Sequence, residues 1–184
     1  MKSTNEGWTI DASHSNIEFA VRHMMISKVR GRFTDVTGTV ELDPDHPTQA
    51  HGEVTIAAAS IDTGEANRDQ HLRSPDFFDV DQHPTMTYRT RRVEPLTAGK
   101  FRVVGDLTIR GITKEVPLTV QSGGAAKDPW GNYRVAYAAS AAVNRTDFGL
   151  TWNKALETGG VLVGDEVAIT IEMQLVRQAE QAAA

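Results

Sequence analysis

Side chains able to do acid–base chemistry gather in two places. The stretch SIDTGEANRDQHLRSPDFFDV, from Ser60 to Val80, packs Glu65, Arg68, Asp69, His71 and Arg73 into its first half. The segment NRTDFGLTWN brings a second group, Asn144, Arg145 and Asp147. An aspartate and a histidine two residues apart, Asp69 and His71, are the residue types of a general acid and base. On that reading the chain is an enzyme acting on a hydrophobic substrate. No nucleophile accompanies them: the chain has no cysteine, and no serine stands in a G-x-S-x-G turn. The competing reading assigns no catalytic residue. It makes His23, Arg68, Asp69, His71, Arg145 and Asp147 a structural polar hub that pairs within itself and fixes a helix against the rest of the fold.

The six histidines raise metal binding, yet none sits in an H-x-H or H-E-x-x-H pattern. His14, His23 and His71 are scattered, so neither a metal nor a cofactor is expected. Asn144-Arg145-Thr146 matches a glycosylation sequon, which has no meaning in a chain without a secretory signal.

Composition narrows the classes further. With 184 residues, 40% hydrophobic and 23% charged, the chain suits one domain large enough for a substantial core. A net charge of −5 argues against nucleic acid and against a polybasic membrane face, because no basic surface dominates. The opening MKSTNEGWTIDASHS lacks the apolar run of a signal peptide, and nothing approaches a membrane span, so a cytoplasmic location is expected.

The elements that must position these residues are strands. Ile17, Phe19 and Val21 alternate with Glu18, Ala20 and Arg22 between Ser15 and His23, the period of a half-buried strand. Further strands are expected over Val29 to Phe33, Thr37 to Leu42, Gly52 to Ile61, Thr85 to Arg92, Lys100 to Arg110, Glu115 to Gln121, Arg134 to Val143 and Val167 to Leu175. The clearest places Phe101, Val103, Gly105, Leu107 and Ile109 on one face, and Gly111-Ile112-Thr113 turns it into a hairpin. Met24, Met25 and Ile26 interrupt the first alternation as an apolar knot.

The Ser60 to Val80 stretch breaks this pattern. Asp62 followed by Glu65 reads as an N-cap and its capping-box partner, starting a short helix near Thr63 to Asn67 that Pro75 stops. The tail from Gln178 to Ala184 should fray. About eight antiparallel strands, each with one apolar face, must close into a barrel or stack as a sandwich; periodicity alone leaves both open. The apolar face either lines a ligand tube or fills a solid core used for protein contacts.

Four segments resemble the YceI-like family of lipocalin-like proteins: DASHSNIEFAVRHMMISKVRGRF from Asp11, SIDTGEANRDQHLRSPDFFDVDQHPTMTY from Ser60, GDLTIRGITKEVPLTV from Gly105 and NRTDFGLTWN from Asn144. They occur in order and span Trp8 to about Val176, with a core of about 8–176. The resemblance implies an all-β, extended eight-stranded antiparallel barrel with a helical segment near its mouth. It implies non-enzymatic binding, transport or storage of a long-chain isoprenoid, such as an isoprenoid quinone precursor, or a similar amphiphilic lipid. Relatives are often dimeric, and many carry a signal peptide that this chain does not show. The expected ligand contacts are Ile17, Phe19, Val21, Leu107 and Ile109 from the alternating strands, with Phe77, Phe78, Phe148 and Trp152 from the motifs.

Overall fold

The computed structural model describes residues 6–178. The tail expected to fray lies, apart from Gln178, outside the described residues; Gln178 itself donates its N–H to the Gly7 carbonyl at 2.9 Å. In chain order the strands are β1 (Glu6–Ile10), β2 (Asn16–His23), β3 (Ser27–Phe33), β4 (Val36–Leu42), β5 (His51–Ala57) and β6 (Ile61–Asp62). After the helix α1 (Ala66–Arg73) come β7 (Thr85–Thr97), β8 (Lys100–Ile109), β9 (Ile112–Lys127), β10 (Tyr133–Asn144) and β11 (Val163–Arg177).

Pairing closes a ring. The sheet runs β1-β4-β5-β7-β8-β9-β10-β11 and returns to β1 through Ile10↔Leu175 and its neighbours. The remaining segments continue strands already in the ring. β2 extends β1 along the same edge of β11, β3 pairs with β2 and leads into β4, and β6 extends β5 alongside β3. The result is an eight-stranded antiparallel barrel in which three neighbouring strands are broken in their middles and five are continuous. Closure leaves no long unpaired edge, which a sandwich would have had to protect.

Inward side chains follow the alternation of the sequence. Ile17 faces Phe33 and Ile171 across its two ladders, and Leu107 stands opposite Tyr88. Two glycines make room for large rings. A Cβ on Gly31 would meet the Phe19 ring at 2.4 Å, and one on Gly105 would meet the Tyr88 ring at 2.5 Å. The Tyr88 hydroxyl, carried across that gap, lies 3.1 Å from the Val103 carbonyl and 2.9 Å from that of Val116.

Several boundaries differ from expectation for identifiable reasons. β1 was not anticipated, because Glu6–Ile10 offers only Trp8 and Ile10 to an apolar pattern. Trp8 is nonetheless core, with its indole N–H on the Leu42 carbonyl at 3.1 Å. β7 continues through Pro95 to Thr97, where register shifts flank the proline's missing donor. The strand expected to reach Ile61 stops at Ala57, and a 3₁₀ turn over Ala58–Ser60 interrupts it.

The helix starts later than its sequence suggests. Glu65 is the N-cap, its carboxylate accepting the Asn67 and Arg68 amides at 3.1 and 2.7 Å. Asp62 is committed elsewhere, to the Gly64 amide at 2.9 Å and the Arg32 guanidinium at 3.1 Å. Gly64, at φ +78°, also prevents a helix from beginning at Thr63. No helix among the described residues is long and apolar enough to cross a membrane.

Candidate functional site

The barrel encloses a cavity of about 330 Å³ whose wall is almost entirely hydrocarbon. It runs along β8 from Ile109 to Phe101. Eight residue-to-residue steps of roughly 3.3 Å, tilted by about 40°, give a tube on the order of 20 Å long. At one end Leu72, Phe77 and Phe78 of the α1 region meet Phe148 and Leu150. At the other, Pro47, Ala50 and Phe101 surround the wall beside His51, whose side chain is 56% exposed.

Of the expected ligand contacts, Ile17, Phe19, Val21, Phe77, Phe78, Leu107, Ile109 and Phe148 lie on this wall. Trp152 does not. It packs edge-on against His71, with ring centroids 4.6 Å apart, and against Phe77 at 5.4 Å, so it backs the wall from outside. Sequence reasoning passed over other wall residues, among them Phe33, Met86, Tyr88, Tyr137 and Met173. Their signal was present in the same period-two strands, but only closure shows that all the apolar faces share one interior.

Polar side chains on the wall are few: His51, Tyr88, Thr90, Tyr137 and Arg145. Glu18 borders it too, but its exposed carboxylate accepts from the Asn16 side-chain amide at 2.6 Å on the outer face. The Tyr88 hydroxyl is used by backbone carbonyls, and burial pushes its pKa up, with the charges of Asp106 and Glu115 adding to the effect. Burial also raises the Tyr137 phenol, whose hydroxyl has no hydrogen-bond partner among the described residues.

Arg145 is only 6% exposed, and backbone oxygens satisfy it. Its guanidinium donates to the carbonyls of Leu150 at 2.6 Å, Gly164 at 2.8 Å, Trp152 at 3.0 Å and Val163 at 3.3 Å. Burial pushes its pKa down, and Asp165, at 3.4 Å, acts in the opposite direction. Arg110 works similarly, tying the Phe77 carbonyl at 2.9 Å to that of Gly149 at 3.3 Å. Together the two arginines hold the α1 region and the 3₁₀ turn Arg145–Phe148 over the barrel end.

The six residues read as one polar hub do not meet. Asp69, 7% exposed, accepts from Thr63 within its own segment, and Arg68 donates to the same threonine's hydroxyl and carbonyl. His71 reaches Asp76 at 2.8 Å. His23 sits half-buried at the end of β2, and Asp147 is exposed. The physical reason is that Arg145 uses most of its donors on backbone carbonyls and meets only Asp165 among carboxylates. Arg68 and Asp69 are both taken by Thr63, so the six do not pair with one another. Neither Asp69 nor His71 is on the cavity wall. Among the described residues, no three histidine, aspartate or glutamate side chains converge as metal ligands would.

Known proteins share this architecture. The Campylobacter jejuni YCEI protein, 29% identical, superposes with a TM-score of 0.73 over 86% of this chain and 90% of its own. BcnA of Burkholderia cenocepacia, 23% identical, has the same fold at a TM-score of 0.79 over 90% of this chain and 98% of its own. A polyisoprenoid binding domain from Saccharophagus degradans, implicated in plant cell wall breakdown, shares the fold at 14% identity and a TM-score of 0.68, covering 93% of this chain and 98% of that one. In sequence, a UPF0312 protein of Staphylococcus aureus is 38% identical over 161 residues, 87% of this chain and 91% of its own length. The YceI-like domain model matches residues 8–175, and with nearly the whole barrel covered, this chain belongs to the YceI-like domain family.

Proposed function

We propose that this protein binds a long-chain isoprenoid or a similar amphiphilic lipid inside its barrel, as a carrier or store and without chemical turnover. The observation that carries this reading is the hydrocarbon wall itself. Each CH₂ group buried against it contributes about 0.8 kcal/mol before ordering costs. Its few polar side chains include two, Tyr88 and Arg145, already bound to backbone carbonyls. The pair suited to acid–base work, Asp69 and His71, stands off the wall. The Saccharophagus domain, polyisoprenoid-binding in its own right, lends support through a shared fold.

Organic extraction of the purified protein followed by mass spectrometry tests the reading. A long-chain lipid in near one-to-one ratio is the expected result. Repeatedly clean extracts, together with no uptake of an added isoprenoid quinone, would overturn it.

A further inference from the structure

The hairpin joining β2 to β3 ends in three consecutive apolar residues, Met24, Met25 and Ile26. Ile26 is 84% exposed, and Met24 and Met25 are about half exposed. Exposed Val161 follows Gly160, where an added Cβ would stand 3.2 Å from Met25 Cγ, so the loop before β11 extends the same apolar patch. The Met24 amide is bound to the Leu162 carbonyl at 2.8 Å, which fixes the tip against that loop. Met24 and Met25 both adopt left-handed backbone, φ 53° and 63°, where glycine or asparagine ordinarily stands. A turn that needs glycine and carries two methionines keeps its apolar side chains at a cost in local strain.

The stem of this hairpin is basic. Arg22 stands directly opposite Lys28 on the outer face, and Arg30 lies opposite Ala20. Arg22, Lys28 and Arg30 are exposed and form no ion pair among the described residues. Like charges facing each other across a ladder are destabilising unless an anion lies against them. On the adjoining loop Lys154 and Glu157 offset each other, and exposed Asp165 and Glu166 stand in the bulge beside Arg22, with Asp165 turned to Arg145 at 3.4 Å. The chain's overall charge of −5 averages this feature away, which is why composition argued against a basic membrane face.

The β2–β11 seam beside the tip is bulged, with Gly164 packed against Arg22. The β2–β11 ladder pairs His23↔Val163 and then lapses until Val21↔Val167, and Val21, Val163 and Val167 all line the cavity. An apolar tip, a basic stem and a bulged seam of the cavity wall therefore occupy one end of the barrel.

We propose that the β2–β3 hairpin tip docks on an anionic lipid surface, inserting Met24, Met25 and Ile26 while Arg22, Lys28 and Arg30 meet the headgroups. Apolar residues ringed by cations are the chemistry of a shallow interfacial anchor. Docking brings the β2–β11 bulge to the membrane, and the passage of cargo there rests on the lipid-binding reading. Docking itself does not rest on it, since vesicle binding needs no cargo.

Vesicle co-sedimentation tests the proposal with phosphatidylcholine vesicles and with vesicles containing a quarter phosphatidylglycerol. The parent should bind the anionic vesicles and release them as salt rises. Ile26→Glu should lower binding at least tenfold, and Lys28→Glu should lower it several-fold. Trp130, also exposed, belongs to the turn at the opposite end of the barrel, so Trp130→Ser should bind as the parent does. Circular dichroism and cargo extraction on each variant separate loss of docking from loss of fold or of ligand. Absence of parent binding, equal binding by Ile26→Glu, or loss in Trp130→Ser instead would each overturn the proposal. So would an Ile26-dependent dimer in sedimentation velocity without vesicle binding, since the patch would then be a self-association surface.

Discussion

Asp69 receives both the backbone amide and the hydroxyl of Thr63, at 2.9 and 2.5 Å, so the helix is bolted to the chain that enters it. Arg68 closes the same joint from the other side, with Nε 2.8 Å from the Thr63 hydroxyl. Asp69→Asn keeps one acceptor and loses the charge. The expected loss is about 2 kcal/mol for weakened hydrogen bonds to a nearly buried carboxylate. At this chain length that lowers the melting temperature by about 4–8 °C. Lipid retention should fall only as far as the helix loosens. A fully stable variant that keeps its lipid but loses a chemical turnover would instead identify Asp69 as an acid or base.

Leu107 and Thr108 point to opposite sides of β8. Leu107 is buried on the cavity wall, whereas the Thr108 hydroxyl meets that of Thr113 at 2.8 Å on the outer face. Leu107→Asp puts an unpaired carboxylate where hydrocarbon is expected, and lipid binding should fall at least tenfold. Thr108→Asp should bind normally. Equal behaviour of the two in a fluorescent-lipid titration would mean that cargo does not contact this wall.

Tyr137 offers a finer probe. Its unpartnered hydroxyl lies on the wall, across the β10–β11 ladder from Met173. An amphiphile whose polar end reaches Tyr137 would gain one hydrogen bond there, about 1 kcal/mol. Tyr137→Phe should then weaken an isoprenoid alcohol about fivefold, leave the matching hydrocarbon unchanged and preserve stability. Identical affinities of parent and variant for the alcohol would place the polar end elsewhere.

The predicted pH dependence comes from Arg134, held between two aspartates. It donates to Asp128 at 2.9 Å and to Asp11 at 2.5 Å. The Ser13 hydroxyl and then Arg134 hold Asp11 well below the usual carboxylate range; Arg134 and then Asn132 do the same for Asp128. Both folded-state values are depressed, so their stabilisation is fully present above the unfolded value of about 4. It is lost as pH falls from there towards the folded values. The melting temperature of the parent should drop steeply between about pH 4 and pH 2. Asp11→Asn should start lower at neutral pH and fall less steeply; an unchanged slope would show that Asp11 is not a source of the acid sensitivity.

How far the sequence could be read follows from where each signal resides. Ile17, Phe19 and Val21 announce their shared face through spacing alone, and the ladders keep them together on the cavity side. The turn after β8 was legible as a hairpin, although its left-handed residues are Arg110 and Gly111, and Ile112 already belongs to β9. What stayed hidden was the choice of partners by charged groups. Arg145 and Arg110 bind main-chain carbonyls, which carry no residue identity in a sequence. The N-cap was misplaced for a related reason, since Arg32, the strand neighbour that claims Asp62, lies thirty residues away. Trp152 sat in the right motif but on the outer side of it, a distinction made only by the packing of His71 and Phe77.

The breaks in the three divided strands lie side by side, since each pairs with the next, and backbone hydrogen bonds tie them to one another and to β11. Thr34 donates to the Ser60 carbonyl at 3.2 Å, Ala57 to that of Asp35 at 3.0 Å and Asp11 to that of Gln174 at 2.9 Å. The five continuous strands have register shifts but no such breaks, so the breaks gather on one flank of the cylinder and the other is expected to be the stiffer. A thicker or thinner guest would be accommodated by flexing along this row of breaks, with the stiffer flank keeping its shape. In amide exchange, Thr34, Ala57 and Asp11 should open together and ahead of the β8–β9 ladder, and filling the barrel should slow all three at once.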